Sequence, residues 1–138
     1  MSRVQLALTV SDVDAAVVFY EKLFGVPAAK KRPGYANFAI AEPPLKLVLL
    51  EGETPGLNHL GVEVETVEEV RQATERLAAE GFGTLAEQGA CCYAEQDKVW
   101  VTGPDQERWE YYAVLGDADV MSASSSGQAC ACGDAVCC

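Results

Sequence analysis

One pattern occurs twice along this chain, and it limits the possible folds more than any other feature. VQLALTV (residues 4–10) leads into SDVD (residues 11–14) and a helical run ending at Phe24 before Gly25. NHLGVEV (residues 58–64) leads into TVEE (residues 66–69) and a helical run ending at Glu80 before Gly81. Both opening segments alternate as half-buried strands do. Both helical runs begin with a Ser or Thr followed three residues later by an acid, Ser11 with Asp14 and Thr66 with Glu69, the capping-box pattern. Each closes at a glycine suited to the left-handed position after a helix. The helical faces correspond as well. Val13, Ala16, Val17, Tyr20 and Phe24 recur at helical spacing, as do Val67, Val70, Thr74, Leu77 and Ala78.

Strand material follows each helix: YANFAI and LKLVLL in the first copy, then FGTLA, CYA, KVWVT and WEYYAV in the second. Gly103-Pro104-Asp105 reads as a turn between the last two. A strand, a helix and a short meander cannot bury both sheet faces alone. The two copies are therefore expected to pair into one curved sheet with the helices outside. This is an α+β cup of two βαβββ modules, at about residues 3–51 and 57–115 of a domain spanning 1–116. The remainder, 117–138, is a small-residue linker followed by ACACGDAVCC, without amphipathic period and expected to be flexible.

Charge and composition exclude several functions. A net charge of −11 gives no attraction to nucleic acid or to an anionic membrane surface. No apolar run approaches the roughly 20 residues of a membrane span. The N-terminus passes directly into a strand pattern without a secretory leader. A cytoplasmic location is expected, and its reduced thiols suit metal or metalloid chemistry better than a disulfide framework.

This repeat resembles the vicinal oxygen chelate superfamily, the glyoxalase and bleomycin-resistance-like proteins. That resemblance implies metal ligands on the first and last strand of each module. In the first strand Val4, Leu6, Leu8 and Val10 form the apolar face, leaving Gln5 on the other face with Ala7 and Thr9. In the second module Leu60, Val62 and Val64 are apolar, so His59 shares a face with Gly61 and Glu63. Gln5 and His59 are equivalent repeat positions. Glu110 falls on the face of Tyr112, within GPDQERWE (residues 103–110), which is similar to the family pattern G-P-D-G-x-x-W-E. The first module departs from four-ligand members: it has Gln5 in place of a histidine and a leucine where a carboxylate would stand. Glu51 at that strand's end is a remote alternative. An amide oxygen, an imidazole and a carboxylate suit a hard or borderline ion such as Fe(II) or Mn(II), with positions left open. His59 is the only histidine, which removes any multi-histidine site and any Ser–His–Asp or Cys–His alternative that needs a second one.

Cys91 and Cys92 stand side by side, and regular strand geometry would send them to opposite faces. Acting together requires the backbone to leave strand geometry, and Gly89-Ala90 suggests a loop or bulge before a strand carrying Tyr93. Thiolates favour soft, thiophilic elements, which an O/N iron site does not need. Two thiols gripping one substrate suggest trivalent arsenic bearing one organic group. Here the chain resembles the C–As lyases, Fe(II)- and O2-dependent enzymes that cleave carbon–arsenic bonds of trivalent organoarsenicals; the cadmium-induced proteins share the pattern. The resemblance rests on QLAL, on RPGYANFAIAEPPLKLVL, on NHLGVEV, on ACCYA followed by DKVWVTGP, and on the Cys-rich tail. It implies Gln5, His59 and Glu110 as Fe(II) ligands and Cys91 and Cys92 as the arsenical grip. Tyr93 and Lys98 are candidates beside the pocket, with cross-strand packing or a solvated role as the plainer reading. Tail residues Cys130, Cys132, Cys137 and Cys138 would collect arsenite or substrate, or chelate stray soft ions. A non-catalytic cadmium or arsenite scavenger and a glyoxalase-type metalloenzyme stay open as alternatives, as does the choice between monomer and homodimer.

Overall fold

The structure, a computed structural model, describes residues 2–91, 93–117 and 122–124. Module one is β1 (Arg3–Val10), α1 (Val13–Phe24), β2 (Lys30–Arg32), β3 (Tyr35–Ile40) and β4 (Leu45–Glu51). Module two repeats it as β5 (Gly56–Val64), α2 (Val67–Ala79), β6 (Leu85–Cys91), β7 (Ala94–Thr102) and β8 (Arg108–Asp117), with a short β9 (Ser122–Ser124). Among the described residues the nine strands form one mixed sheet in the order β2-β3-β4-β1-β5-β8-β7-β6-β9. The expected cup of two βαβββ modules is the fold observed.

The modules meet along β1 and β5, which run antiparallel, while β4 lies parallel to β1 and β8 parallel to β5. Leu6 faces Leu60 at the centre of the seam, with Gln5 opposite Gly61 and Ala7 opposite His59. The register thus makes Gln5 and His59 diagonal neighbours on one face. On the opposite face the helices bury the apolar alternation: Val13 and Val17 of α1 against Phe38, Leu47 and Leu49, and Val70 and Leu77 of α2 against Val99 and Ala113. Among the described residues no helix is long and apolar enough to cross a membrane.

Local details differ from the sequence expectation where short polar segments decide. The α1 cap is Asp12, which accepts from the Ala15 N–H, and not Ser11. Thr66 and Glu69 do form the reciprocal capping box at α2. Gly81 closes α2 with φ 88, its N–H bonded to Ala78 and that of Phe82 to Leu77, the double bond of a Schellman end. β2, with the sequence Lys-Lys-Arg, carries no apolar alternation to reveal it. Gly89 and Ala90 lie within β6 instead of a preceding loop. Tyr93 lies between the paired Cys91 and Ala94, off either strand, with φ 61. The backbone therefore leaves the strand at Tyr93, past Cys91, where the expectation put the departure at Gly89-Ala90. β9 pairs with β6 at Gly89, Ala90 and Cys91, so the sheet continues past residue 116. Cys92 and the tail thiols Cys130, Cys132, Cys137 and Cys138 lie outside the described residues.

Candidate metal centre

Side chains from both modules converge on the inner face of the cup. Gln5, Gly61, Glu110 and Trp100 occupy one row across β1, β5, β8 and β7, and His59 stands one pleat along β5. Gln5, His59 and Glu110 are each no more than 2% exposed. The Gln5 Nε2 lies 2.8 Å from Glu110 Oε1 and 3.2 Å from His59 Nε2, and the last two atoms are 3.6 Å apart. Two ligands at right angles, each about 2.1 Å from a common ion, are about 3 Å apart. The three side chains therefore have the mutual spacing of three ligands on one face of an ion.

Their outer atoms are fixed by partners. Asn58 Nδ2 donates to Thr9 Oγ1 at 3.1 Å, which leaves Asn58 Oδ1 to accept from His59 Nδ1 at 2.7 Å. That bond keeps the proton on Nδ1 and turns the Nε2 lone pair toward Gln5 and Glu110, as metal-binding imidazoles require. Lys98 Nζ donates to Glu110 Oε2 at 2.9 Å, leaving Oε1 for the cluster. Burial pushes the Glu110 carboxyl up, but the Lys98 ammonium and the adjacent His59 outweigh it and hold it at about 2. Glu110 is thus a carboxylate, which buried as it is requires a charged partner.

Gln5 decides whether the set accepts a cation. Its amide N–H groups face His59 and Glu110, and its Oε1 accepts from the Tyr112 hydroxyl at 2.7 Å. The same hydroxyl lies 3.2 Å from Glu63 Oε2, so its single proton serves two acceptors. Burial, then Glu63 and Glu110, push the Tyr112 phenol well above its ordinary value, and it stays protonated. With the amide turned over, Nε2 donates to the Tyr112 oxygen, Tyr112 donates to Glu63, and Oε1 faces His59 and Glu110. The Tyr112 and Glu63 groups are then satisfied and three acceptors line one point, a donor set that fits a hard or borderline divalent ion. Gly61 leaves the room: a Cβ there would sit 3.0 Å from Glu110 Cγ and 3.1 Å from Gln5 Nε2. Among the described residues no three His, Cys, Asp or Glu side chains group as a metal site, so an ion here depends on the amide.

The remaining sequence candidates fall as follows. Lys98 is 2% exposed and ion-paired, cross-strand from Tyr112, so a solvated role is ruled out. Glu51 is exposed and accepts from the Val13 N–H at the start of α1, away from the cluster. The register puts Val48, not a leucine, at the first-module counterpart of Glu110: Val48 pairs with Ala7 as Glu110 pairs with Gly61. Glu63, Tyr112 and Asn58 were not singled out from sequence. Strand parity already put Glu63 beside His59 and Tyr112 beside Glu110, but their contacts depend on cross-strand register.

The model of the Glyoxalase/Bleomycin resistance protein/Dioxygenase superfamily matches residues 3–111. This chain belongs to that superfamily. Within the superfamily it is 58% identical over 134 residues to a trivalent organoarsenical cleaving enzyme of Thermomonospora curvata, covering 94% of this chain and 89% of that one. It is 54% identical over 143 residues to the cadmium-induced protein CadI of Mycobacterium bovis, covering 97% of this chain and 94% of that one. Among solved structures, a variant of homoprotocatechuate 2,3-dioxygenase from B. fuscum shares the superfamily fold, with a TM-score of 0.65 at 19% identity, covering 83% of this chain and 32% of that one.

Proposed function

We propose that this protein cleaves the carbon–arsenic bond of trivalent organoarsenicals, methylarsenite or reduced aromatic arsenicals, in an Fe(II)- and O2-dependent reaction that releases arsenite in the cytoplasm. The observation that carries this reading is the convergence of Gln5, His59 and Glu110, all buried, with His59 and Glu110 held from outside at the atom that would not face an ion. The relative named for cleaving trivalent organoarsenicals, at 58% identity, supports the substrate class.

Cys91 and Cys92 take the substrate as a dithiolate: RAs(OH)2 and two thiols give RAs(S-Cys)2 and two waters, with no change of oxidation state. The organic group then stays on arsenic. Gln5, His59 and Glu110 would hold Fe(II), which supplies the redox chemistry that lets dioxygen react. Lys98 keeps Glu110 anionic and oriented, Tyr112 with Glu63 takes up the Gln5 amide nitrogen, and Asn58 fixes the His59 tautomer. The buried inner face excludes bulk water from these groups. Tail thiols Cys130, Cys132, Cys137 and Cys138 collect arsenicals for the pair.

Purified protein supplied with Fe(II) and methylarsenite in air is expected to release arsenite, read by arsenic speciation, and to release none without oxygen or iron. Tight arsenic binding with no arsenite released under any of these conditions would make the protein a soft-element trap, the reading that its likeness to a cadmium-induced protein would favour.

A further inference from the structure

The turn between β6 and β7 reaches module one's edge, and the contact lies immediately after the cysteine pair. β2 is one edge strand, and β6 and β7, near the other edge, turn back at Tyr93. Tyr93 reaches across to module one with three separate contacts. Its carbonyl accepts from Lys30 Nζ at 3.1 Å, its ring lies 5.5 Å from that of Tyr35, and the Arg32 guanidinium sits over the ring at 5.7 Å. Tyr35 is fixed in turn: it is 1% exposed, and its hydroxyl accepts from Asn37 Nδ2 at 2.9 Å. A bulky residue at φ 61 persists only where its surroundings hold it there.

The charge on β2 is a local exception. Lys30, Lys31 and Arg32 are three of ten basic residues in a chain of net charge −11. Two of the three address Tyr93, one through the backbone and one through the ring.

We propose that Lys30, Arg32 and Tyr35 form a rim clasp that positions the Cys91–Cys92 pair by gripping Tyr93, so that both thiols meet one arsenic atom. The proposal rests on the cysteine pair being the arsenical grip. Strand alternation opposes that pairing, and the clasp holds Tyr93, the next residue, at a φ of 61, outside strand geometry. Module one thus sets the substrate geometry of module two, acting through Tyr93 as a positioning device without touching the arsenical. The gain is one of effective concentration: a second As–S bond forms readily only where the second thiol already faces the first.

The test uses the full chain carrying Cys130→Ser, Cys132→Ser, Cys137→Ser and Cys138→Ser, so that only the pair binds. Phenylarsine oxide, which needs two thiols, is titrated into this parent, into Tyr93→Gly, and into the exposed-edge double variant Lys30→Gln/Arg32→Gln. Both variants are expected to weaken binding about tenfold. Alkylation of single thiols by iodoacetamide and the affinity for Mn(II) should stay within twofold, which loss of structure would not allow. Lys31→Gln, which removes the same charge without the contact, should bind like the parent. Unchanged phenylarsine oxide affinity in the double variant overturns the clasp. If Cys91→Ser alone then weakens binding, the clasp fails while the cysteine grip stands; if it does not, both fail.

Discussion

The two modules share one backbone plan but fill it with opposite chemistry on the inner face. Where module two has Glu110, module one has Val48; where module two has Lys98, module one has Tyr35; and where module two has Tyr112, module one has Leu50. Module two therefore buries an ion pair at 2.9 Å, where module one buries Val48 and the uncharged, hydrogen-bonded Tyr35 and Asn37. A buried ion pair gives little net stability over an apolar isostere, because desolvation offsets most of the attraction. Retaining it in one module alone fits the proposal that this module carries the site and the other its scaffold. Gln5 is the one proposed ligand from module one, and it lies at the seam, where it meets the other two.

The sharpest way to break this contrast is to remove Glu110 and Val48 in turn. Glu110→Ala leaves the Lys98 ammonium buried without its counter-ion, expected to cost about 3–5 kcal/mol by urea unfolding and to abolish Mn(II) or Fe(II) binding. Val48→Ala should cost about 2 kcal/mol, the transfer of two methyl groups, and leave metal affinity within twofold. Equal metal loss in both variants would refute the division of roles.

Acid offers a second separation. Glu110 is held at about 2, below the ordinary value of 4.5, so its contribution is complete above the ordinary range and is lost as pH falls toward 2. The shift corresponds to about 3 kcal/mol. Metal-free wild type should lose that much more stability than Glu110→Gln between pH 5 and 2 (limits of about one unit around the transition). Val48→Ala should follow the wild-type acid profile, since module one has no such group. Parallel profiles for wild type and Glu110→Gln would mean that Lys98 does not hold the carboxyl down.

A subtler test exchanges the residues that flank the seam. Gly61 is the repeat counterpart of Ala7, two residues beyond His59 as Ala7 is two beyond Gln5. Gly61→Ala drives a methyl between Gln5 and Glu110, expected to cost about 2 kcal/mol and to weaken Mn(II) binding at least tenfold. Ala7→Gly should cost about 1–2 kcal/mol through backbone entropy and the loss of one buried methyl, with metal affinity retained. Calorimetric titration of Mn(II) reads both, and tight binding by Gly61→Ala would sink the assignment of this space to an ion.

The seam was legible in the sequence because strand parity is a strong signal when one face is covered by a helix. The alternations VQLALTV and NHLGVEV sent Gln5 and His59 inward together, and the structure joins them at 3.2 Å. Lys98 was harder, since one charged residue in KVWVT reads as solvent-facing until the carboxylate opposite is known. Tyr112 and Glu63 act through a shared proton, which no single-strand pattern encodes. β2 was invisible because its three basic residues are held by pairing to β3 and by Tyr93 rather than by burial of their own.

The smallest effect concerns the turns that close each module before its last strand. In module two Gln106 adopts φ 70 within the loop that the Gly103 N–H closes onto Glu107 at 2.7 Å, where the family pattern has glycine. In module one residues 41–44 make the corresponding turn, and none of them has positive φ. Gln106→Gly relieves a left-handed side chain and should raise stability by about 1 kcal/mol, with metal affinity and turnover unchanged. Ala41→Gly only enlarges the freedom of the unfolded chain and should lower stability by about 0.5–1 kcal/mol. One substitution type with opposite signs in the two modules would tie the difference to local backbone geometry. The same sign in both, by urea unfolding, would mean that the Gln106 side chain contributes a contact outweighing its strain.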